Sequence, residues 1–162
     1  MFELIFCLVF FIYTSFLLFI ISGLFRHDIF PFSDSPDQEL PLASVIVAAR
    51  NEEKNLPGLI KDLTKQSYSL DKIEIIIVND RSTDKTEEIL TEASKKYSFI
   101  KTINIRSKSK DIAPKKHALH QGINISKGEV IISTDADCRV GKNWVLSRVN
   151  STIKSRDHCR FF

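Results

Sequence analysis

Hydrophobic positions follow two regimes along this 162-residue chain. From Leu4 to Phe25 no residue is charged and no polar face interrupts the pattern, whereas from Ala43 onward short apolar runs alternate with amphipathic stretches. As a helix, the first segment would extend about 33 Å, enough to cross a hydrocarbon core of about 30 Å. A cleaved signal peptide would want a basic start, a shorter apolar run and a small-x-small cleavage site. Here the chain opens Met1-Phe2-Glu3, the run is long, and no such site follows. A buried core helix is the other alternative, but so short a chain would struggle to cover an apolar surface on every side. The pattern predicts a retained transmembrane anchor over residues 1–27. No Lys or Arg precedes it and Arg26 follows it, so charge asymmetry puts the rest of the chain in the cytoplasm, although Asp28, Asp34, Asp37 and Glu39 lie close behind. Asn124-Ile125-Ser126 and Asn150-Ser151-Thr152 have the form of glycosylation acceptors in a secretory lumen, a pattern short enough to arise by chance.

Residues 28–42 hold three prolines and several turn formers and read as a linker. Residues 43–162 then form one domain. Ser44 to Ala49 is a short apolar run, as expected of a strand covered on both faces. Asn55 is placed to cap the following helix, with Pro57 in its first turn and Leu56, Leu59, Ile60 and Leu63 as its buried stripe. Ile73 to Val78 is a β-branched second strand. Asp84 and Glu87 have capping-box spacing for a helix whose apolar face carries Ile89, Leu90, Ala93 and Tyr97. Phe99 to Ile105 is a weaker strand, interrupted by Lys101 and Asn104. Pro114 opens a helix running to about Ser126, with Gly128 placed to stop it. Glu129 to Thr134 is a fourth strand, and Trp144 to Ile153 is helical. Strict alternation predicts an α/β domain built on a mainly parallel sheet.

Composition narrows the function classes. With 43% hydrophobic and 27% charged residues, the chain is neither disordered nor low-complexity. Its 3 Cys form no C-x-x-C pair, which argues against a disulfide scaffold or a structural zinc site. Nine basic residues against one acid lie between Lys95 and Lys127, and most suit a solvated surface. No aromatic residues interleave the core of that run, so nucleic acid is not expected as a partner. Lys115 and Lys116 are better placed, at a helix start where backbone N–H groups favour anions such as a diphosphate. His117 and His120 have no third ligand in view and read as surface residues. Neither a P-loop nor G-x-G-x-x-G is present, which disfavours ATPases and nicotinamide dehydrogenases.

Ligands of open parallel sheets bind outside the carboxyl ends of the strands. Three such ends are polar: Ala49-Arg50-Asn51-Glu52, Asn79 to Asp84, and Asp135-Ala136-Asp137. Any one is an ordinary turn, but their coincidence on one sheet edge points to a site. Two hard carboxylates in one short turn suit Mg²⁺ or Mn²⁺. Phosphatases of the haloacid-dehalogenase kind also use Asp-x-Asp, but on their first strand and followed by Thr or Val, where this chain has Arg139 after its fourth strand.

Four segments in order carry a resemblance: Ser44–Glu53, Ile77–Thr86, Lys115–Gly122 and Gly128–Asp137. Together they resemble the family-2 glycosyltransferases, whose GT-A fold binds nucleotide sugars, over about Ala43 to Trp144. The resemblance implies that Ala48, Arg50 and Glu52 line the nucleotide pocket and that Asp80 hydrogen-bonds the base, usually uracil. It implies Lys116 near the diphosphate, and Asp135 and Asp137 as the family's Asp-x-Asp, with Asp137 the direct ligand of Mg²⁺ or Mn²⁺. The donor implied by the resemblance is a nucleotide-diphosphate sugar, UDP-linked by family habit, and the implied acceptor an unknown lipid or saccharide. Arg50 stands where an aromatic residue is common in the family.

Inverting transfer needs a general base near the acceptor hydroxyl. The family places it beyond the Asp-x-Asp, often as Glu-Asp, with Gln-x-x-Arg-Trp later. After Asp137 this chain has one acid, Asp157, and neither motif. The expectation is a donor-binding half that is inactive alone, as a truncation, frameshift or partial gene would leave. A non-catalytic tethered nucleotide-binding module and a product that does not fold are the alternatives.

Overall fold

The computed structural model describes residues 2–25, 40–109 and 111–158. The chain divides into two compact units, Met1–Asp34 and Ser35–Phe162. In the first, α1 (Phe2–Phe25) is a 24-residue helix. Its stretch Glu3–Ser22 has a mean hydropathy of 2.8 and is the one helix, among the described residues, long and apolar enough to cross a membrane. Thr14, a polar side chain in that stretch, bonds its hydroxyl to the carbonyls of Phe10 and Phe11, so it presents no unmet donor. Most of the expected linker, residues 28–39, lies outside the described residues, as do Arg26 and the acids considered with it.

The second unit is a sheet of four parallel strands in the order β3-β2-β1-β4. Its elements are β1 (Ala43–Ala49), α2 (Leu56–Leu63), β2 (Ile73–Asp80), α3 (Thr86–Lys96), β3 (Ile100–Ile105), α4 (Pro114–Ile125), β4 (Val130–Asp135) and α5 (Trp144–His158). Strand alternation splits the core in two. Val45, Val47, Ile75, Ile77 and Ile132 face a larger cluster with Leu56, Leu59 and Leu63 of α2, Leu90 of α3, and Val145 and Val149 of α5. Ile76 and Val78 face a smaller cluster with Ala118 of α4. Both inner strands, β1 and β2, are buried on both faces, which is why residues 45–49 and 75–78 read as unbroken apolar runs.

α4 lies close on the sheet because Gly122 faces it. A Cβ there would come 2.6 Å from Ile46 Cγ2 and 3.3 Å from Val78 Cγ2. Gly128 has a similar role rather than the expected one. No glycine among the described residues has a positive φ, and α4 ends at Ser126 with its N–H on the Ile123 carbonyl. Instead, a Cβ on Gly128 would sit 2.6 Å from the Ser44 N and 2.9 Å from the Leu42 O. The glycine lets the chain cross the start of β1. The expected caps differ too. Asn55 makes no side-chain cap bond and donates to Glu52 instead. Asp84 accepts from the Thr86 and Glu53 N–H groups, while Glu87 pairs with Arg106, so no reciprocal capping box forms.

At the amino ends of the strands one buried carboxylate holds three segments together. Glu74, neighbour of Ser44 in register, accepts from the Ser44 hydroxyl, from the Lys127 N–H, and from Lys101 Nζ at 2.7 Å. The Gly128 N–H in turn donates to Ser44 Oγ at 2.8 Å. Burial alone would push the Glu74 carboxyl up; the bonds from Lys101, Lys127 and Ser44 outweigh it and hold it below the usual range.

Gly128→Ala should destabilise the domain by about 1–3 kcal/mol, because the added methyl meets the Ser44 hydroxyl, which is tied to Glu74, and the backbone of Ser44 and Leu42, which cannot move aside. Glu74→Gln should destabilise it by about 1–3 kcal/mol near neutral pH, since Lys101 loses its charged partner and an NH₂ faces other donors. A folded pKa below the unfolded one means that the Glu74 contribution is complete above the unfolded value and is lost as pH falls through the folded value. The gap between wild type and Glu74→Gln should therefore narrow as pH falls below the unfolded value of about 4.3 and close below the folded one. Both are checked by urea unfolding of the full chain in detergent, followed by the fluorescence of Trp144, the single tryptophan.

Candidate functional site

Strand order reverses at β1. The chain runs from β1 outward through β2 to β3 and then returns to place β4 on the other side of β1. Neighbouring connections therefore leave in opposite directions and a crevice opens at the carboxyl ends of β1 and β4. Register aligns the ends: Ala49 lies opposite Asn79, and Ala48 opposite Asp135. Beyond these pairs Arg50 follows the end of β1, Asp80 closes β2, and Asp137 lies in the turn after β4.

A cleft of about 290 Å³ occupies this crevice. The end of β1 contributes Ala48, Ala49, Arg50 and Glu52, and β2 contributes Asp80. The turn after β4 contributes Asp135, Ala136 and Asp137, and the first turn of α4 contributes Pro114, Lys115 and Ala118. Of the residues singled out in the sequence, Ala48, Arg50, Glu52, Asp80, Asp135 and Asp137 thus share one cavity. Lys116 is exposed and is not part of its wall; Lys115 lines it instead. Helical phase explains the difference. Ala118 and Gly122 mark the sheet-facing stripe of α4, and Lys115, three residues before Ala118, falls on that stripe, whereas Lys116 is turned by about 100°. His117 is half-buried and His120 exposed, each beside an amide four residues on, Gln121 and Asn124.

The loops bearing these groups are stitched to each other. Asn51 donates its N–H to Ser82 Oγ at 2.9 Å and accepts the Thr83 N–H on its side chain at 2.8 Å. The Glu52 N–H bonds Thr86 Oγ1, the Glu53 N–H bonds Asp84, and the Lys85 N–H bonds Glu53. Within the second loop, Asn79 accepts the Ser82 N–H. Both loops turn on a residue in the left-handed region, Asn51 at φ 56° and Arg81 at φ 55°. Asn tolerates that conformation, while for Arg it is strained and must be held by its surroundings. Here the hold is visible: Arg81 grips Asp80 through two bonds, Nε to Oδ1 at 2.7 Å and NH2 to Oδ2 at 3.1 Å.

That grip keeps the Asp80 carboxyl below the usual range despite burial, with Arg50 adding to the effect. Asp80, 5% exposed, is therefore an ionised acceptor on the cleft wall. On the opposite wall Lys115 Nζ lies 2.7 Å from Asp135 Oδ1 and 2.8 Å from Oδ2. The bond to Asp135 raises the lysine's pKa, so it is a cation throughout the neutral range.

Two residues that sequence reasoning passed over position the turn after β4. Arg139 donates to both oxygens of Asp62 on α2, at 2.6 and 2.9 Å, and the Val140 N–H joins them. Gln66 then bonds the Gly141 carbonyl and the Val145 N–H, fixing the entry to α5. Each partner is more than 70 residues away in the chain, so no local pattern could have paired them.

No group of three or more His, Cys, Asp or Glu side chains is gathered for a metal among the described residues. Asp135 and Asp137 nevertheless supply two hard oxygen donors to one cleft. That set fits Mg²⁺ or Mn²⁺, ions that draw their remaining ligands from water and phosphate oxygens. The free thiol of Cys138, in this turn beside Asp137, is exposed.

The family model described as Glycosyl transferase family 2 matches residues 44–158. A beta-monoglucosyldiacylglycerol synthase of Nostoc sp. is 37% identical over 107 residues, covering 66% of this chain and 22% of that protein. A mannosyltransferase of Pyrobaculum calidifontis, solved with GDP-Man and Mn²⁺, superposes with a TM-score of 0.55 at 25% identity, over 63% of this chain and 29% of its own. S. aureus TarS 1–349 in complex with UDP-GlcNAc gives a TM-score of 0.55 at 29% identity, over 70% of this chain and 31% of its own. The chain thus spans less than a third of each of these three proteins. With the parallel sheet, the crevice at its strand-order reversal and a family match over most of its length, the chain belongs to glycosyl transferase family 2.

Proposed function

We propose that residues 43–162 form the nucleotide-sugar-binding part of a membrane-anchored glycosyltransferase, held to the membrane by residues 1–27 through the linker 28–42. The single observation that carries this reading is the convergence of Asp80, Asp135, Asp137 and the first turn of α4 on one cleft. A base with an N–H donor, uracil in this reading, bonds the ionised Asp80 carboxylate. The first turn of α4 directs unpaired backbone N–H groups and Lys115 toward the diphosphate, with Lys116 adding charge at the same helix start. Ala48, Arg50 and Glu52 wall the nucleoside side. Asp137, with Asp135, would hold Mg²⁺ or Mn²⁺, whose Lewis acidity neutralises charge on the departing nucleoside diphosphate. The donor is a UDP-linked sugar, the acceptor a lipid or saccharide, and the anchored domain faces the cytoplasm, as Arg26 after the anchor favours.

Titration calorimetry of the full chain in detergent tests this. UDP should bind with Mn²⁺ present and at least roughly tenfold more weakly without it or in Asp137→Ala, a loss of about 1.4 kcal/mol or more. GDP should compete poorly with UDP. Binding indifferent to both Mn²⁺ and Asp137→Ala would remove the reading's support.

A further inference from the structure

Asp135 is already occupied. Lys115 Nζ chelates both of its oxygens, at 2.7 and 2.8 Å, inside the cleft that also holds Asp137. A divalent ion at the same carboxylate would meet an ammonium only a few ångströms away, and two cations so placed repel. The pair is not locked by burial, since the Lys115 and Asp135 side chains are 62% and 49% exposed. Nor is the lysine needed to hold the helix, because Pro114 begins α4 and Ala118 packs it on the sheet. The side chain is therefore free to exchange one anion for another, and a lysine binds phosphate as a mobile point charge.

We propose that Lys115 and the divalent ion compete for Asp135, and that a diphosphate entering the cleft resolves the competition by drawing Lys115 onto its own oxygens. The inference rests on reading the cleft as a metal and diphosphate site, and it adds a coupling device to that site. Lys115 keeps the metal loosely bound until nucleotide arrives. By linkage, the factor by which UDP tightens Mn²⁺ binding equals the factor by which Mn²⁺ tightens UDP binding. Part of that factor comes from the lysine leaving Asp135.

The test reads metal binding rather than transfer. Mn²⁺ alone is titrated into the full chain in detergent, and free Mn²⁺ is followed by its electron paramagnetic resonance signal. Lys115→Met should tighten Mn²⁺ binding by roughly three- to tenfold without nucleotide, and the further tightening by UDP should shrink. Lys115→Arg, which keeps the cation, should stay near wild type. Lys95→Met, the same charge change at an exposed lysine of α3 outside the cleft wall, should also leave Mn²⁺ affinity unchanged. Trp144 fluorescence reports whether each variant is folded, and Lys115→Gln replaces Lys115→Met if the latter is not. Equal Mn²⁺ affinity in wild type and Lys115→Met (or Lys115→Gln), or an equal gain in Lys95→Met, overturns the competition alone if UDP still promotes Mn²⁺ uptake. No Mn²⁺ uptake by wild type even with UDP overturns the reading of the site itself.

Discussion

Parallel pairing on both sides of β1 sends every strand of the sheet out on the same edge, and the reversal of strand order at β1 opens that edge into a crevice. The other polar features of the domain depend on this arrangement. It brings Arg50, Asp80 and Asp137 to one cleft although they are separated by tens of residues in the chain. It also requires the opposite edge to be held in register, because a slip of one residue would turn each strand's side chains to the wrong face. Glu74 meets that requirement. Its bonds to Ser44, Lys101 and Lys127 join β1, β2, β3 and the approach to β4 at their amino ends. A buried carboxylate far from the cleft thus fixes the heights at which the cleft's own carboxylates emerge.

At the carboxyl edge the polar residues divide into two groups by what they touch. Asn51, Ser82, Thr83 and Asp84 spend hydrogen bonds on the neighbouring loop, while Asn79 braces its own loop through the Ser82 N–H and reaches Asn104 of β3. Asp80, Asp135 and Asp137 face the cleft. The first group makes the second rigid. Two left-handed turns, at Asn51 and Arg81, are sustained by that stitching and by the Arg81–Asp80 pair. A loop so constrained holds its acceptor in place before any ligand arrives, which reduces the ordering a ligand must impose.

How much of this was legible in the sequence follows from the range of each interaction. The strands were readable because β1 and β2 are buried on both faces and so consist almost wholly of apolar, largely β-branched residues. The start of α4 was readable because Pro114 fixes it locally. The residues gathered at the cleft were readable because parallel strands must end together. Local signals failed where tertiary contacts set the outcome. Gly128 sits where a helix-stopping glycine belongs, yet its smallness serves a crossing with Leu42 and Ser44, more than 80 residues earlier. Asp84 and Glu87 have capping-box spacing, but Glu53 and Arg106 claim them. The choice between Lys115 and Lys116 turned on helical phase, which a pair of adjacent lysines does not reveal without Ala118 and Gly122 as markers.

Charge in the cleft supplies an argument for a divalent ion that owes nothing to resemblance. Four carboxylates line it, those of Glu52, Asp80, Asp135 and Asp137, against two cations, Arg50 and Lys115. Arg81, behind the wall, offsets Asp80, and the balance still stays negative. A diphosphate brought into such a place meets like charge, and the first turn of α4 offsets only a fraction of one charge. Two added positive charges bring the cleft to a state in which a polyanion is attracted rather than repelled. Placed between Asp135, Asp137 and the incoming phosphates, they would also free Lys115 for the ligand. In the proposed reading nucleotide is therefore a poor guest without the metal, and the metal, opposed by Lys115, a poorer guest without nucleotide, a dependence that the ratio of acids to bases on the cleft wall supports.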